Sequence, residues 1–265
     1  MNLSGLPRDH LSWSQVKSYH SCPACYYAAY FEEQPEQSTS IALPIGSAVH
    51  KAAQAGREAR MAGTSLTPDE GATAAVEAFR TTVDAIATQG WDLGKYRTQA
   101  DAESDVASFA KLVIELVSTE EGIVGVEQKF TLPEGIIPVP FIGFVDVLLE
   151  NNGQQTVKDL KTASRSGAPD TWTAWQLMTY ALPGWDQFSA PALQIDQVIK
   201  VKAPSLVSWQ VTPTEAHMRQ VIALIMDALD GILSERFPPR PSLFGCRYDH
   251  SVPVFTSIPA LAAVA

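Results

Sequence analysis

The first 120 residues carry the apolar spacing of helices. Ser12 or Ser14 can cap a short helix that runs to about His20, and Pro23 suits the first turn of a second one. Apolar residues then recur at helical spacing between polar caps and glycines. This pattern predicts three longer helices, over residues 44–63, 67–90 and 98–118.

A different pattern begins near residue 121. Apolar and β-branched runs, separated by turn residues, indicate strands rather than helices. The segment Asn151-Asn152-Gly153 favours a hairpin turn between two of these strands. The predicted elements are strands over 123–132, 139–150 and 154–162, a helix over 170–184, strands over 192–201 and 205–211, and a long helix from Thr212 or Thr214 to about Arg236.

This order of elements predicts an α/β fold, in which a central mixed β-sheet is flanked by helices and preceded by a helical N-terminal portion. The chain of 265 residues shows no internal repeat and no low-complexity linker, so a single domain is expected over 1–265. Within it, 11–120 would form the helical part, 121–211 the sheet with its inserted helix, and 212–265 the C-terminal helix and tail.

Composition narrows the class of protein. The chain is 46% apolar and 18% charged, as is usual for globular proteins. It contains no run of about 18 apolar residues and no N-terminal signal pattern, so we expect no membrane span and a cytoplasmic location. The formal net charge of −10 excludes a surface that is basic all over, but it leaves room for a local basic groove.

The hairpin brings two carboxylates together. If its strands pair across the Asn-Gly turn, Asp146 lies near residue 158 or 159, and Asp159 shares a face with Lys161. Such a group suits a divalent metal, because hard carboxylate oxygens bind Mg²⁺ or Mn²⁺. From spacing alone, solvent-facing aspartates with a lysine partner remain the alternative. Against this, Asp146 lies within an apolar run, where an unpaired carboxylate is costly to bury.

Several motifs carry a resemblance to a known family. The segment "GFVD…VKDLKT" resembles the GxxD and (D/E)xK elements of the PD-(D/E)XK nuclease superfamily, in its RecB-like exonuclease branch, which includes CRISPR-adaptation and AddB-type nuclease domains. In the order of that branch, "LSWSQVKSYHSCPACYYAAY" is similar to its N-terminal helix, "IGSAVHKA" to its GxxxH motif and "QLMTY" to its QxxxY motif. The resemblance covers roughly residues 11 to 180 and implies a restriction-endonuclease-like core.

The resemblance also implies roles for individual residues. Lys161 would be the catalytic lysine, and Gln176 and Tyr180 would lie beside the metal and contact DNA. The implied metal ligands are His50, Asp146, Asp159 and the main-chain carbonyl of Leu160, with Glu127 as an outer member. Further candidate DNA contacts are the cations Lys158, Arg165, Lys200, Lys202, Arg236, Arg240 and Arg247.

The implied activity is a metal-dependent deoxyribonuclease that hydrolyses phosphodiester bonds with Mg²⁺ or Mn²⁺. It would be an exonuclease of DNA recombination, repair or end processing, which could be phage-encoded and could form a homo-oligomer. DNA is the expected partner, together with an annealing protein, a helicase or another recombination or repair protein. Two alternatives stay open: a catalytically silent DNA-binding or scaffold subunit of a larger nuclease complex, and a structure-specific endonuclease.

The cysteines depart from the family pattern. Many relatives hold a four-iron cluster with four cysteines, and here Cys22 and Cys246 fill two of those positions. Since Asp249 and Phe255 stand at the others, we do not expect the cluster. Cys22, Cys25, Cys246 and His250 have a spacing that could hold a structural Zn²⁺. The favoured prediction is that the cysteines are small buried residues, with Cys246 still close to Cys22.

Overall fold

The computed structural model describes residues 5–35, 39–86, 90–132, 135–182, 191–201 and 203–240. Within these ranges the chain forms seven helices and seven strands. From residue 123 onward their order, three strands, a helix, two strands and a helix, is the one that the apolar pattern predicts. The helices are α1 (Trp13–Ser21), α2 (Pro23–Tyr30), α3 (Ala42–Met61), α4 (Pro68–Ala85), α5 (Gln99–Thr119), α6 (Thr171–Ala181) and α7 (Glu215–Leu233). The strands are β1 (Thr39–Ser40), β2 (Trp91–Asp92), β3 (Ile123–Thr131), β4 (Ile142–Asn151), β5 (Gln154–Ala163), β6 (Ala192–Ile199) and β7 (Ser205–Val211).

Local sequence explains where the helices begin. Ser12, Thr67, Thr98, Asp170 and Thr214 each accept a hydrogen bond at the first turn of a helix with a side-chain oxygen. The predicted start points of these helices are therefore confirmed. One predicted end is wrong, because α4 stops at Ala85, before the glycine that was expected to end it.

The main sheet has five strands in the order β3-β4-β5-β6-β7. Neighbouring strands are antiparallel except for β5 and β6, which are parallel, so the predicted mixed sheet is confirmed. The hairpin between β4 and β5 turns at Asn152 and Gly153, whose φ angles of 53° and 78° are those of a tight hairpin turn. The helix of the QxxxY motif, α6, forms the connection between the parallel strands β5 and β6.

Helices cover both faces of this sheet. One apolar core joins Val157, Leu193 and Ile195 of the sheet to α1, α6 and α7. A second core joins Leu160 and Val198 to α3, α4 and α5. The result is a three-layer α/β arrangement, in which β5 is buried on both faces.

One feature of the N-terminal portion differs from the sequence expectation. The N-terminal portion is not wholly helical, since β1 and β2 pair in parallel as a separate two-stranded sheet. Strands of two residues are too short to show an alternating pattern, which is why the sequence did not predict them. In the part of the chain described above, no helix has the length and apolar character needed to cross a membrane.

Candidate active site

The site forms where β4 and β5 part. Their paired register runs from Asn151–Gln154 to Val147–Lys158 and ends there, which brings Asp146 and Asp159 to the same point, as the hairpin register predicts. Beyond this point the Asp146 carboxylate replaces the strand partner, because its Oδ2 accepts the Leu160 N–H at 2.7 Å. The N–H and C=O of one strand residue face the same neighbour, so the Leu160 carbonyl also faces this gap.

Glu127 reaches the gap from β3. The flanking pairs Val126–Val147 and Gln128–Val145 place it opposite Asp146. Its φ of 47° is left-handed, an unfavourable conformation for a residue with a side chain, and such conformations concentrate at functional sites. Burial raises the pKa of the Glu127 carboxyl, and the negative charge of Asp146 raises it further.

His50 comes from α3 on the other side of the gap. Its Nδ1 lies 3.2 Å from Asp146 Oδ2. Burial alone would lower the pKa of the imidazole, but the hydrogen bond and charge of Asp146 outweigh burial and leave that pKa raised. Burial would raise the pKa of Asp146, yet His50 and Lys161 leave it lowered. The opposite shifts of the two pKa values are those of an ion pair in the absence of metal.

These three side chains form a compact ligand set. One ligand atom each from His50, Glu127 and Asp146 lies within 4.8 Å of the others. Carboxylate and carbonyl oxygens suit Mg²⁺ and Mn²⁺, so the ligands of this kind are Glu127, Asp146 and the adjacent Leu160 carbonyl, to which His50 adds one nitrogen. The residues therefore fit a divalent cation.

Asp159 is paired with Lys161 instead. Lys161 Nζ lies 2.9 Å from Oδ1 and 2.7 Å from Oδ2 of the Asp159 carboxylate. The Asp159 side chain is 1% exposed, whereas that of Lys161 is 28% exposed. Burial raises the pKa of Asp159 to about 6, although the nearby lysine acts in the opposite direction. The predicted shared face of these two residues is confirmed.

Gln176 and Tyr180 of the QxxxY motif form one wall of the gap between β4 and β5. Gln176 Nε2 donates to the Tyr180 hydroxyl at 2.9 Å, one helical turn away on α6. Burial raises the pKa of Tyr180, as do the charges of Asp159 and Asp146, so its hydroxyl lies in the field of the carboxylates. The Phe130 ring packs edge-on against Tyr180, with 5.1 Å between ring centroids. A Cβ at Gly143 would lie 2.1 Å from Phe130 Cε1, which explains why the GxxD motif has glycine here.

The candidate DNA contacts separate into several groups. Lys158 is buried and ion-paired with Glu120 and Asp196, so its assignment as a surface contact is wrong. Arg165 is exposed just beyond β5, as a phosphate contact would be. Lys200 is half-buried, and burial lowers its pKa, with Lys95 acting in the same direction. Lys202 and Arg247 lie outside the described residues.

The two remaining candidate cations contact the protein itself. Arg236 forms an ion pair with Asp230, one turn from the end of α7. The Arg240 guanidinium donates to the His20 carbonyl at 2.8 Å. Both contacts hold the segment after α7 in place.

The cysteine site is described only in part. Cys22 is buried and caps α2, where its Sγ accepts the Cys25 N–H. The Arg240 N–H also approaches Cys22 Sγ, at 3.5 Å, so the segment after α7 returns to the N-terminal helices. Cys246 and His250 lie outside the described residues, and the zinc alternative stays a prediction.

Comparisons with known proteins bear on the family and the fold of the chain. No curated protein matches the chain. A crystal structure from Eubacterium rectale, described as a "putative exonuclease", is 16% identical, covers 97% of this chain and 94% of its own, and superposes with a TM-score of 0.56. SSO0001, another solved structure, is 13% identical over 82% of each chain and superposes with a TM-score of 0.36.

The first of these likenesses shows the fold, a mixed sheet flanked by helices that is consistent with a restriction-endonuclease-like core. A family model described as the PD-(D/E)XK nuclease superfamily matches residues 10–248, nearly the whole chain. That range includes the parting strands β4 and β5, the His50 helix and the QxxxY helix. The chain therefore belongs to the PD-(D/E)XK nuclease superfamily.

Proposed function

We propose that this protein is a metal-dependent DNA exonuclease that hydrolyses phosphodiester bonds. The observation that carries the proposal is the convergence, in a chain of the nuclease superfamily, of His50, Glu127 and Asp146 within 4.8 Å, beside the Asp159–Lys161 pair. Such a cluster combines ligands for a cation with a partly exposed ammonium at the edge of the gap. Metal-dependent hydrolysis of a phosphodiester bond requires both of these features.

His50, Asp146 and Asp159 are the proposed metal ligands, with the Leu160 carbonyl, and Glu127 as the outer member. When bound, Mg²⁺ or Mn²⁺ supplies Lewis-acid chemistry, which polarises the phosphate and lowers the pKa of water. The N–H of Leu160 holds the Asp146 carboxylate in its orientation, as outer contacts do in metal sites.

Three further side chains act on the substrate. Lys161, whose side chain is 28% exposed, orients the attacking water and stabilises negative charge on the phosphate. Gln176 and Tyr180 contact the DNA backbone from the wall formed by α6. The Gln176–Tyr180 hydrogen bond, together with the Phe130 ring, holds the tyrosine in place before DNA arrives.

Attack from an end, rather than inside a strand, rests on the GxxxH and QxxxY motifs and on the description of the Eubacterium rectale protein. Arg165, Lys200 and Lys202 are proposed to contact phosphates beyond the gap. The proposal extends to a role in recombination, repair or end processing in the cytoplasm, with an annealing protein or helicase as partner. A homo-oligomer would supply a basic channel for the DNA.

The test is digestion of a linear duplex labelled at one end, in Mn²⁺ or Mg²⁺, beside a covalently closed circle of the same sequence. The wild type should shorten the linear duplex from its end and leave the circle intact. Lys161→Ala should lower the rate about 10³-fold, since it removes stabilisation of transition-state charge. Lys111→Ala removes an exposed lysine of α5 that pairs with Asp69, and this matched control should keep full activity.

Two results would change the proposal. Nicking of the circle by the wild type would favour the endonuclease alternative. If the wild type binds the duplex but digests it with neither Mn²⁺ nor Mg²⁺, a scaffold subunit would be favoured.

A further inference from the structure

Four charged side chains are buried together on the side of β5 opposite the side chain of Asp159. They belong to Arg57 on α3, Glu120 just after α5, Lys158 on β5 and Asp196 on β6, and each is at most 7% exposed. With two cations and two anions the group is neutral. We call these four residues the buried ion chain, and none of them takes part in the hydrolysis proposed above.

The contacts run without a break from α3 to the sheet. Arg57 binds Glu120 with two hydrogen bonds, from Nε to Oε2 at 2.8 Å and from Nη2 to Oε1 at 2.9 Å. Lys158 Nζ lies 3.0 Å from Glu120 Oε1 and 2.7 Å from Asp196 Oδ2. Asp196 Oδ1 accepts from Gln194 at 2.7 Å and from Ser208 at 2.5 Å, on β6 and β7.

Two members of the buried ion chain lie on the same secondary-structure elements as residues of the active site. Arg57 follows His50 by seven residues, which is two helical turns, so both residues project from the same side of α3. Lys158 directly precedes Asp159 on β5, and consecutive strand residues point to opposite faces. The buried ion chain thus joins the helix that carries His50 to the strand that carries Asp159.

We infer that the buried ion chain positions the metal ligands: it fixes α3 against β5, so that His50 stays within reach of Asp146 and Asp159. This inference rests on the proposed metal-dependent function. Lys158 and Arg57 are positioning residues, because they touch neither the gap nor anything bound in it.

Charge, rather than apolar packing, makes the arrangement specific. Apolar side chains tolerate sliding, whereas a bidentate Arg–carboxylate pair fixes both distance and angle. Losing one member leaves a buried charge without its partner, so the neighbouring elements have to shift. Since His50 Nδ1 and Asp146 Oδ2 are only 3.2 Å apart, a small displacement of α3 would separate the ligands.

The test uses a charge-balanced variant of the full chain, Lys158→Met with Asp196→Asn, which removes one cation and one anion and leaves the Arg57–Glu120 pair. Mn²⁺ affinity is measured by calorimetry, the stability of the metal-free protein by thermal unfolding, and the setting of His50 by its imidazole ¹H–¹⁵N signals. We expect Mn²⁺ to bind roughly 10- to 100-fold more weakly, as on loss of contacts outside a metal site. The His50 signals should shift even without metal.

The matched control is a double replacement in an ion pair between two other helices, Arg80→Met with Glu103→Gln. This pair, 2.7 Å apart, joins α4 to α5 without contacting β5. It should leave Mn²⁺ affinity and the His50 signals as in the wild type. If the Lys158 and Asp196 double variant behaves like the control, or loses only thermal stability, the inference is overturned. The buried ion chain would then have a purely structural role.

A milder variant keeps the inference testable if the Lys158 and Asp196 double variant does not fold. Arg57→Lys keeps the charge but loses the bidentate geometry, and we expect about a threefold to tenfold loss of Mn²⁺ affinity. Wild-type affinity in that variant, with unmoved His50 signals, would also overturn the inference. Because those signals are recorded without metal, they test the positioning role even if the wild type digests no DNA.

Discussion

Two lysines three residues apart on β5 have opposite electrostatic surroundings. Lys158 is 7% exposed and lies between two carboxylates, each of which has a further partner of its own. Lys161 is 28% exposed, and its described ion pair is with one carboxylate, that of Asp159. The first lysine belongs to a neutral, closed group, and the second to a group with excess negative charge.

This difference distinguishes the two faces of β5 by their charge balance. Around Lys161, three carboxylates (Glu127, Asp146 and Asp159) stand against one lysine and one histidine. Buried negative charge in excess is costly unless a cation compensates it, and a divalent metal does so. On the other face of the same strand the charges already balance, so no external ion is needed. The strand is therefore fixed on one side and, in the proposed function, reactive on the other.

The largest effect is expected from breaking the reactive side. Asp146→Asn removes the charge that pairs with His50 and that would bind the cation, so we expect activity to fall about 10³-fold, with a matching loss of Mn²⁺ binding. Glu150→Gln, an exposed acid on the same strand, serves as the control and should be silent. Digestion of the end-labelled duplex gives the first quantity and calorimetry the second. Near-normal rates in Asp146→Asn would place the metal elsewhere.

A smaller effect concerns the pairing of Lys161 itself. Its ammonium contacts both oxygens of Asp159, so an incoming cation has to displace it. Lys161→Met should therefore bind Mn²⁺ roughly 10- to 100-fold more tightly than the wild type while losing activity. Lys51→Met removes an exposed charge whose field reaches Glu127, and it shows how much of the gain is long-range electrostatics. Equal gains in both variants would mean that the ion pair does not compete with the metal.

Sequence reasoning found the reactive side more completely than the closed side. The Asn-Gly turn fixes the hairpin register, and that register brings Asp146 to Asp159 without knowledge of the rest of the fold. The polar caps at Ser12 and Thr67 likewise fix helix starts through contacts within one turn. Such features depend on neighbours in sequence, which is why a single sequence suffices for them.

The closed side depends on contacts between distant segments. Lys158 stands between Val157 and Asp159 in a largely polar stretch that gives no sign of burial, and its burial follows only when α3 and Glu120 cover that face. Glu127 gives no sign in sequence of its left-handed backbone, since nothing in its neighbours requires it. The short parallel pair β1–β2 joins segments about 50 residues apart and carries too few residues for a pattern.

The smallest expected effect is a pH dependence of the free energy of unfolding that comes from Asp159. Burial raises the pKa of Asp159 to about 6, above its ordinary value of 3.8, so between these values the folded protein holds a proton that the unfolded chain has lost. Without metal, this group favours folding at low pH, and its contribution is lost as pH rises through about 6. Between about pH 7.5 and pH 5 the free energy of unfolding should gain about 1.4 kcal/mol from Asp159.

Urea unfolding in a chelator, with Asp159→Asn as reference, measures this gain as the difference between the two proteins. Bound Mn²⁺ requires the ionised carboxylate, so saturating metal should reverse the trend and stabilise the wild type more at the higher pH. Identical pH profiles for wild type and Asp159→Asn would mean that Lys161 compensates Asp159 as fully as Glu120 and Asp196 compensate Lys158, and the contrast between the two faces of β5 would fail.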